Sequence, residues 1–103
     1  IVGDLNHDNL EDAIVWFALY PADGGNMCIG HELSIYINTG SDMKVIGGFE
    51  PNYLFSVHGI TNNKIHIAKL DFQDGDGAWP TFETHKYMIL NKDKLQESNE
   101  IQN

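Results

Sequence analysis

The chain has 103 residues, of which 42% are hydrophobic and 11% aromatic, and its formal net charge is −9. This length and composition are typical of one ordinary globular domain and exclude a disordered segment. The acidic excess disfavours partners that present phosphate, because nucleic acids and anionic membranes would repel the chain. The longest apolar run has about eight residues, too few for a membrane span, which needs roughly 20.

The ends of the chain and its cysteine give few further constraints. The sequence begins at Ile1 without a basic region or a signal cleavage site, so we expect a preceding segment to carry any targeting information. Cys28 is the single cysteine and cannot form an internal disulfide. We predict that it is a small buried apolar residue. The alternative is a catalytic cysteine, which would need a histidine partner, and His31 lies three residues away.

The first element in chain order is an acidic loop ahead of an apolar run. Side-chain oxygens fall at relative positions 1, 3, 5 and 9 of this loop, and a backbone carbonyl at position 7 adds a fifth donor. Loops of this kind wrap Ca²⁺, which takes six to eight oxygen ligands. The predicted calcium ligands are Asp4, Asn6, Asp8, Leu10 through its carbonyl, and Asp12. The alternative is a solvated acidic turn whose side chains cap their own backbone.

The loop differs from an EF-hand in two ways. An EF-hand has a bidentate Glu at position 12, where this chain has Val15, so Asp12 would have to close the site. Position 6 favours glycine at positive φ, and Asn9 is the next best residue there. Three carboxylates around a divalent ion leave a charge near −1, which predicts weak binding.

Strand signals dominate the rest of the chain. Residues 13–20 are almost all apolar and predict a fully buried central strand, whereas residues 32–38 alternate and predict a half-buried one. Turn residues separate these strands at positions 21–30 and again at 38–42. Further strands are predicted at 43–46, 53–61, 64–72, 81–90 and 94–96.

Two details refine this pattern. Asn62 and Asn63 stand between two β-rich runs and predict a two-residue type I′ turn. The apolar phase changes after Ile67, which predicts a bulge near Ala68. The predicted fold is therefore all-β: a small antiparallel meander, curled sheet or sandwich of about six or seven strands. We predict one domain over residues 1–97 and a polar tail over residues 98–103.

Three further features are candidates for binding. The second acidic loop, residues 71–77, is a flexible turn, a further cation position or a part of the first cation site. Trp79 lies beside it, so the loop from Asp74 to Pro80 either contacts a partner protein or covers one end of the core. His58 and His66 flank the Asn62-Asn63 turn and should lie opposite each other, as a transition-metal pair or as solvated neighbours.

The sequence offers little evidence for catalysis. No serine stands in a G-x-S-x-G context, and no glycine-rich loop has the lysine and helix of a phosphate site. We assign no catalytic residue and expect a protein that is not an enzyme. A hydrolase would need a histidine near a carboxylate in a cleft.

The loop Asp4-Leu5-Asn6-His7-Asp8-Asn9-Leu10-Glu11-Asp12-Ala13 resembles the calcium loops of FG-GAP and VCBS-type β-repeats, D-x-[DN]-x-D-G-x-x-D followed by a strand. The chain is also similar to a group of exported bacterial domains, often lipoproteins. Their features match Gly24-Gly25, Leu33 to Asn38 and Lys86 to Glu97. Asn9 replaces the usual glycine, and Ala78-Trp79-Pro80 replaces a Cys-Cys-Pro segment.

This resemblance implies an exported protein, periplasmic or on the cell surface, that calcium stabilises. We therefore expect a non-catalytic binding or structural module. The alternative is an acidic inhibitor or immunity-type protein that binds a basic target enzyme.

Overall fold

The computed structural model describes residues 1–23, 28–77, 79–92 and 94–98. Its eight strands form two antiparallel sheets of four, in the orders β1-β2-β3-β4 and β5-β6-β7-β8. The strands are β1 (Val2–Gly3), β2 (Asp12–Leu19), β3 (Gly30–Asn38), β4 (Met43–Phe49), β5 (Leu54–Thr61), β6 (Lys64–Asp71), β7 (Phe82–Asn91) and β8 (Lys94–Glu97). The all-β prediction is confirmed. The strand that the sequence did not predict is β1, because a strand of two residues is too short to show an alternating apolar pattern.

The two sheets share one apolar core. Alternate residues of the inner strands point between the sheets, because side chains in a strand alternate between its two faces. The buried cluster consists of Leu5, Ile14, Leu33 and Ile35 from the first half of the chain and Phe55, Ile65, Ile67 and Met88 from the second half. The described residues contain no helix, and therefore none long and apolar enough to cross a membrane.

Strand β2 is an inner strand of its sheet, but the prediction that it is fully buried is wrong. Ile14 is buried, whereas Val15 and Phe17 are 49% and 37% exposed. An antiparallel sheet can pack one face on the core and leave the other face to solvent, and Val15 and Phe17 lie on the face opposite Ile14. Trp16 of the first sheet contacts the second sheet, because its indole N–H donates to the carbonyl of Phe55 at 3.0 Å.

The predicted turns are confirmed where the structure describes them. Asn62 and Asn63 have φ values of 52° and 64°, and positive φ at both central positions is what a type I′ turn requires. The connection between β3 and β4 contains Gly40 at φ 93°. The glycine-rich turn predicted after Asp23 falls on residues 24–27, outside the described residues.

The bulge predicted near Ala68 is misplaced. Strand β6 pairs in unbroken register with β7, and the irregularity lies in β5, between Val57 and Gly59. The apolar phase of β6 changes because both of its faces carry apolar residues: Ala68 is fully buried as well as Ile67.

The prediction that Cys28 is buried is wrong. Cys28 is half-buried, and its thiol donates to the carbonyl of Gly30 at 3.1 Å.

Candidate metal centre

The acidic loop between β1 and β2 brings three carboxylates together. One carboxylate oxygen each from Asp4, Asp8 and Asp12 lies within 4.8 Å of the other two. Asp12 is fully buried, Asp4 is half-buried and Asp8 is exposed. Within the part of the chain that the structure describes, none of the three forms an ion pair. The loop thus concentrates negative charge that no ion pair among the described residues offsets.

Asp4 organises the loop by accepting backbone hydrogen bonds. Its carboxylate receives the N–H groups of Asn6, Asp8 and Asn9 at 3.2, 3.3 and 2.8 Å. His7 and Asn9 adopt φ values of 63° and 65°, so the positive φ predicted for Asn9 is confirmed. Desolvation raises the pKa of Asp4, but these backbone hydrogen bonds outweigh it, and the pKa lies below its usual value of 3.8. The carboxyl is therefore ionised at neutral pH.

Asp12 joins the loop to the strands beside it. One carboxylate oxygen accepts the Leu5 N–H at 2.8 Å, and the other accepts the Asn38 N–H at 2.9 Å. Leu5 is 2% exposed and belongs to the core cluster, so the loop is anchored on both sides of the cluster of carboxylates. A carboxylate has about four lone-pair directions, and Asp12 uses two of them in these hydrogen bonds.

The loop also contacts the second sheet. The Asn63 side chain, in the β5–β6 turn, donates to the Asp4 carbonyl at 2.8 Å. Gly3 lies so close to the same sheet that a Cβ atom on it would be 2.7 Å from Cβ of Ile60. The carboxylate cluster therefore stands where the first sheet meets the β5–β6 hairpin.

The Asn6 amide faces the carboxylates. The hydrogen-bonded orientation places its nitrogen 2.9 Å from Oδ1 of Asp8 and 3.2 Å from Oδ1 of Asp4. Rotation of the amide by 180° would instead present its oxygen to the same point, as a cation ligand. The predicted ligand Asn6 is thus within reach of the cluster.

The fifth predicted ligand, Leu10, is half-buried at the end of the loop. Its N–H donates to Oδ1 of Asp8 at 3.0 Å, which fixes the segment between Asp8 and Asp12. That its carbonyl binds a cation stays a prediction.

The second acidic loop is closed by its own hydrogen bonds. The Asp76 carboxylate accepts the N–H groups of Gln73 and Thr81 at 2.9 and 3.0 Å and the Thr81 hydroxyl at 2.6 Å. The hydroxyl is the main reason that the pKa of Asp76 lies below its usual 3.8. Asp76 therefore serves as the internal acceptor of this turn, and the structure does not bring it to the first loop.

Next to this second loop lies a buried histidine, His31, which the sequence indicated only as a candidate partner of Cys28. His31 is fully buried, its Nδ1 accepts the Phe55 N–H at 3.0 Å, and its Nε2 has no hydrogen-bond partner among the described residues. The rings of Trp16 and Trp79 lie 4.7 and 5.6 Å from it. Burial lowers the pKa of His31 below 6.5. Trp79 is 46% exposed, so it covers His31 with one part of its surface and meets solvent with the rest.

No protein family, curated protein or solved structure shows a significant similarity to this chain.

Proposed function

We propose that the chain is a calcium-stabilised, non-catalytic binding or structural module. The convergence of Asp4, Asp8 and Asp12 on one point of the loop is the observation that supports this proposal. Three carboxylates and a backbone carbonyl are the hard oxygen donors that Ca²⁺ prefers, and Asn6 can add an amide oxygen.

The ion would act on the fold through the contacts of the loop. In the absence of a cation, carboxylate repulsion opposes the loop geometry that the Asp12 and Asn63 hydrogen bonds hold. A divalent ion removes that repulsion and adds ligand bonds that the unfolded chain cannot assemble. Calcium would therefore stabilise the junction between the first sheet and the β5–β6 hairpin by mass action.

The proposed location follows from the weakness of such a site. A calcium site with three carboxylates is expected to have a dissociation constant of about 10⁻⁴–10⁻³ M, which is the range of extracellular calcium-binding modules. A cytosol keeps free calcium far below that range, so the site would fill in the periplasm or outside the cell. We therefore propose an exported protein.

Thermal unfolding with calcium or with a chelator tests the proposal. At ten times its dissociation constant, calcium would stabilise the fold by about 1.4 kcal/mol, which raises Tm by roughly 6–11 °C for a domain of this size. Asp8→Asn keeps the oxygen that accepts the Leu10 N–H but removes one charge, so it should reduce the calcium increment without lowering Tm in chelator. Asp74→Asn, an exposed change in the second loop, should keep the full increment. Equal melting curves with calcium and chelator for the unchanged chain would refute the site.

The binding part of the proposal concerns the loop from Asp74 to Pro80. Pro80 is buried and Trp79 is partly exposed over His31, so these two residues are held on the core while one aromatic surface stays open to a partner. Affinity capture from the native host, compared between the unchanged chain and Trp79→Ala, tests this part. One stoichiometric basic enzyme that binds only the unchanged chain would instead identify an inhibitor.

A further inference from the structure

The outer face of the second sheet carries a cluster of three histidines, His58, His66 and His85, from three neighbouring strands. The ring centroids of His58 and His66 lie 4.8 Å apart and are stacked, and His85 lies 5.4 and 4.9 Å from these two rings. The cluster gathers three of the five histidines of the chain. The predicted proximity of His58 and His66 is confirmed, and β7 adds a third imidazole.

Backbone geometry produces this arrangement. The bulge in β5 places two residues, His58 and Gly59, against the single residue His66 of β6. Gly59 has φ 144°, a conformation that favours glycine. Bulges redirect side chains and are frequent beside functional sites. On the other side, His66 is paired with Tyr87, whose ring stacks on it at 4.6 Å.

One pair of imidazole nitrogens in the cluster is already in contact. Nε2 of His66 and Nδ1 of His85 lie 2.7 Å apart and share one proton in a hydrogen bond. A tetrahedral ion with metal–nitrogen bonds of 2.0–2.1 Å needs ligand nitrogens about 3.3 Å apart. The three histidines do not present one nitrogen each within 4.8 Å of the other two, so an ion would be bound only after the exposed His58 and His85 side chains rotate toward His66. The donor ring of the His66–His85 pair would then move its proton to its other nitrogen.

The third histidine has a carboxylate partner. Nε2 of His58 lies 3.3 Å from Oε1 of Glu83 and 3.3 Å from the hydroxyl of Ser56. When Nε2–H donates to Glu83, the free lone pair of the neutral ring is on Nδ1. A carboxylate that accepts the second ring N–H is the usual way in which metal-binding histidines are oriented.

We propose that His58, His66 and His85 form a surface site for a divalent transition-metal ion of the zinc or copper type, with Glu83 orienting His58. Imidazole nitrogen suits these ions and not calcium, so the site is separate from the acidic loop.

Calorimetric titration of the full chain with Zn²⁺ in excess calcium tests this proposal. We expect one Zn²⁺ per chain, with affinity at least about tenfold lower in His66→Gln and His85→Gln and about tenfold lower in Glu83→Gln. His7→Asn removes a histidine outside the cluster and keeps a residue that tolerates the φ of 63°; it should bind like the unchanged chain. Thermal unfolding of each variant in chelator verifies that it folds.

Two results would overturn the proposal. The first is a chain that binds no Zn²⁺ in excess calcium. The second is binding that survives both His66→Gln and His85→Gln; if that binding is lost in Asp8→Asn, the ion lies in the acidic loop. As a second readout, NMR resonances of the three clustered imidazoles should shift together during the zinc titration while those of the buried His31 do not.

Discussion

Replacement of Asp12 by alanine tests the structural role of the acidic loop without any ion. The side chain is fully buried and accepts two backbone N–H groups, from Leu5 and Asn38, at 2.8 and 2.9 Å. Asp12→Ala leaves both donors without their partner. Each unsatisfied donor costs about 1–3 kcal/mol, so the free energy of unfolding should fall by roughly 2–6 kcal/mol. That is a large part of the 5–15 kcal/mol typical of a domain.

The assay is urea unfolding followed by tryptophan fluorescence in chelator, so that the loss contains no contribution from a bound cation. Asp74→Ala is the matched control, because it removes an exposed carboxylate of the second acidic loop and should change stability by no more than about 0.5 kcal/mol. If Asp12→Ala loses no more than this control, Asp12 does not hold the loop on the sheet, and the structural argument fails.

Three further predictions concern the core and the junction of the sheets. The pKa of His31 in the native state lies below 6.5. As pH falls below 6.5, His31 therefore binds a proton in the unfolded chain but not in the native protein. The free energy of unfolding should then decline by up to about 1.4 kcal/mol per pH unit. The NMR resonances of a native His31 should then show no protonation down to pH values below 6.5; a normal titration there would contradict its burial. Gly3→Ala should cost about 1–3 kcal/mol by overpacking against Ile60, and unchanged urea unfolding would show that this contact relaxes freely. Asn63→Gly keeps the positive φ but removes the side-chain hydrogen bond to the loop, so thermal unfolding should show a loss of about 0.5–1.5 kcal/mol relative to Asn62→Gly; equal losses would mean that the hydrogen bond contributes nothing.

Features encoded by neighbouring residues could be predicted from the sequence. The type I′ turn follows from two asparagines that tolerate positive φ between strand-forming residues. The positive φ of Asn9 follows in the same way from its position in the loop. The alternating strand β3 was likewise readable, because its apolar period belongs to the strand itself.

Features that depend on how distant strands meet could not be predicted. The apolar run of β2 indicates burial, but which face of this strand is covered is a property of the whole fold, and Val15 and Phe17 lie on the face that is not. Likewise, His85 joins the histidine cluster only through the register of β7 on β6. The hydrogen bond from Asn38 to Asp12 spans 26 positions. The sequence therefore predicted Asp12 only as a cation ligand and gave no indication that it accepts backbone hydrogen bonds from a distant strand.

A crystal structure of the protein grown with calcium tests the central proposal most directly. We predict anomalous density for one ion between Asp4, Asp8 and Asp12, with ion–oxygen distances of about 2.3–2.6 Å and the Asn6 amide turned so that its oxygen faces the ion. A loop with no ion at saturating calcium, in which the Asn6 nitrogen still donates to the carboxylates, would contradict the proposal.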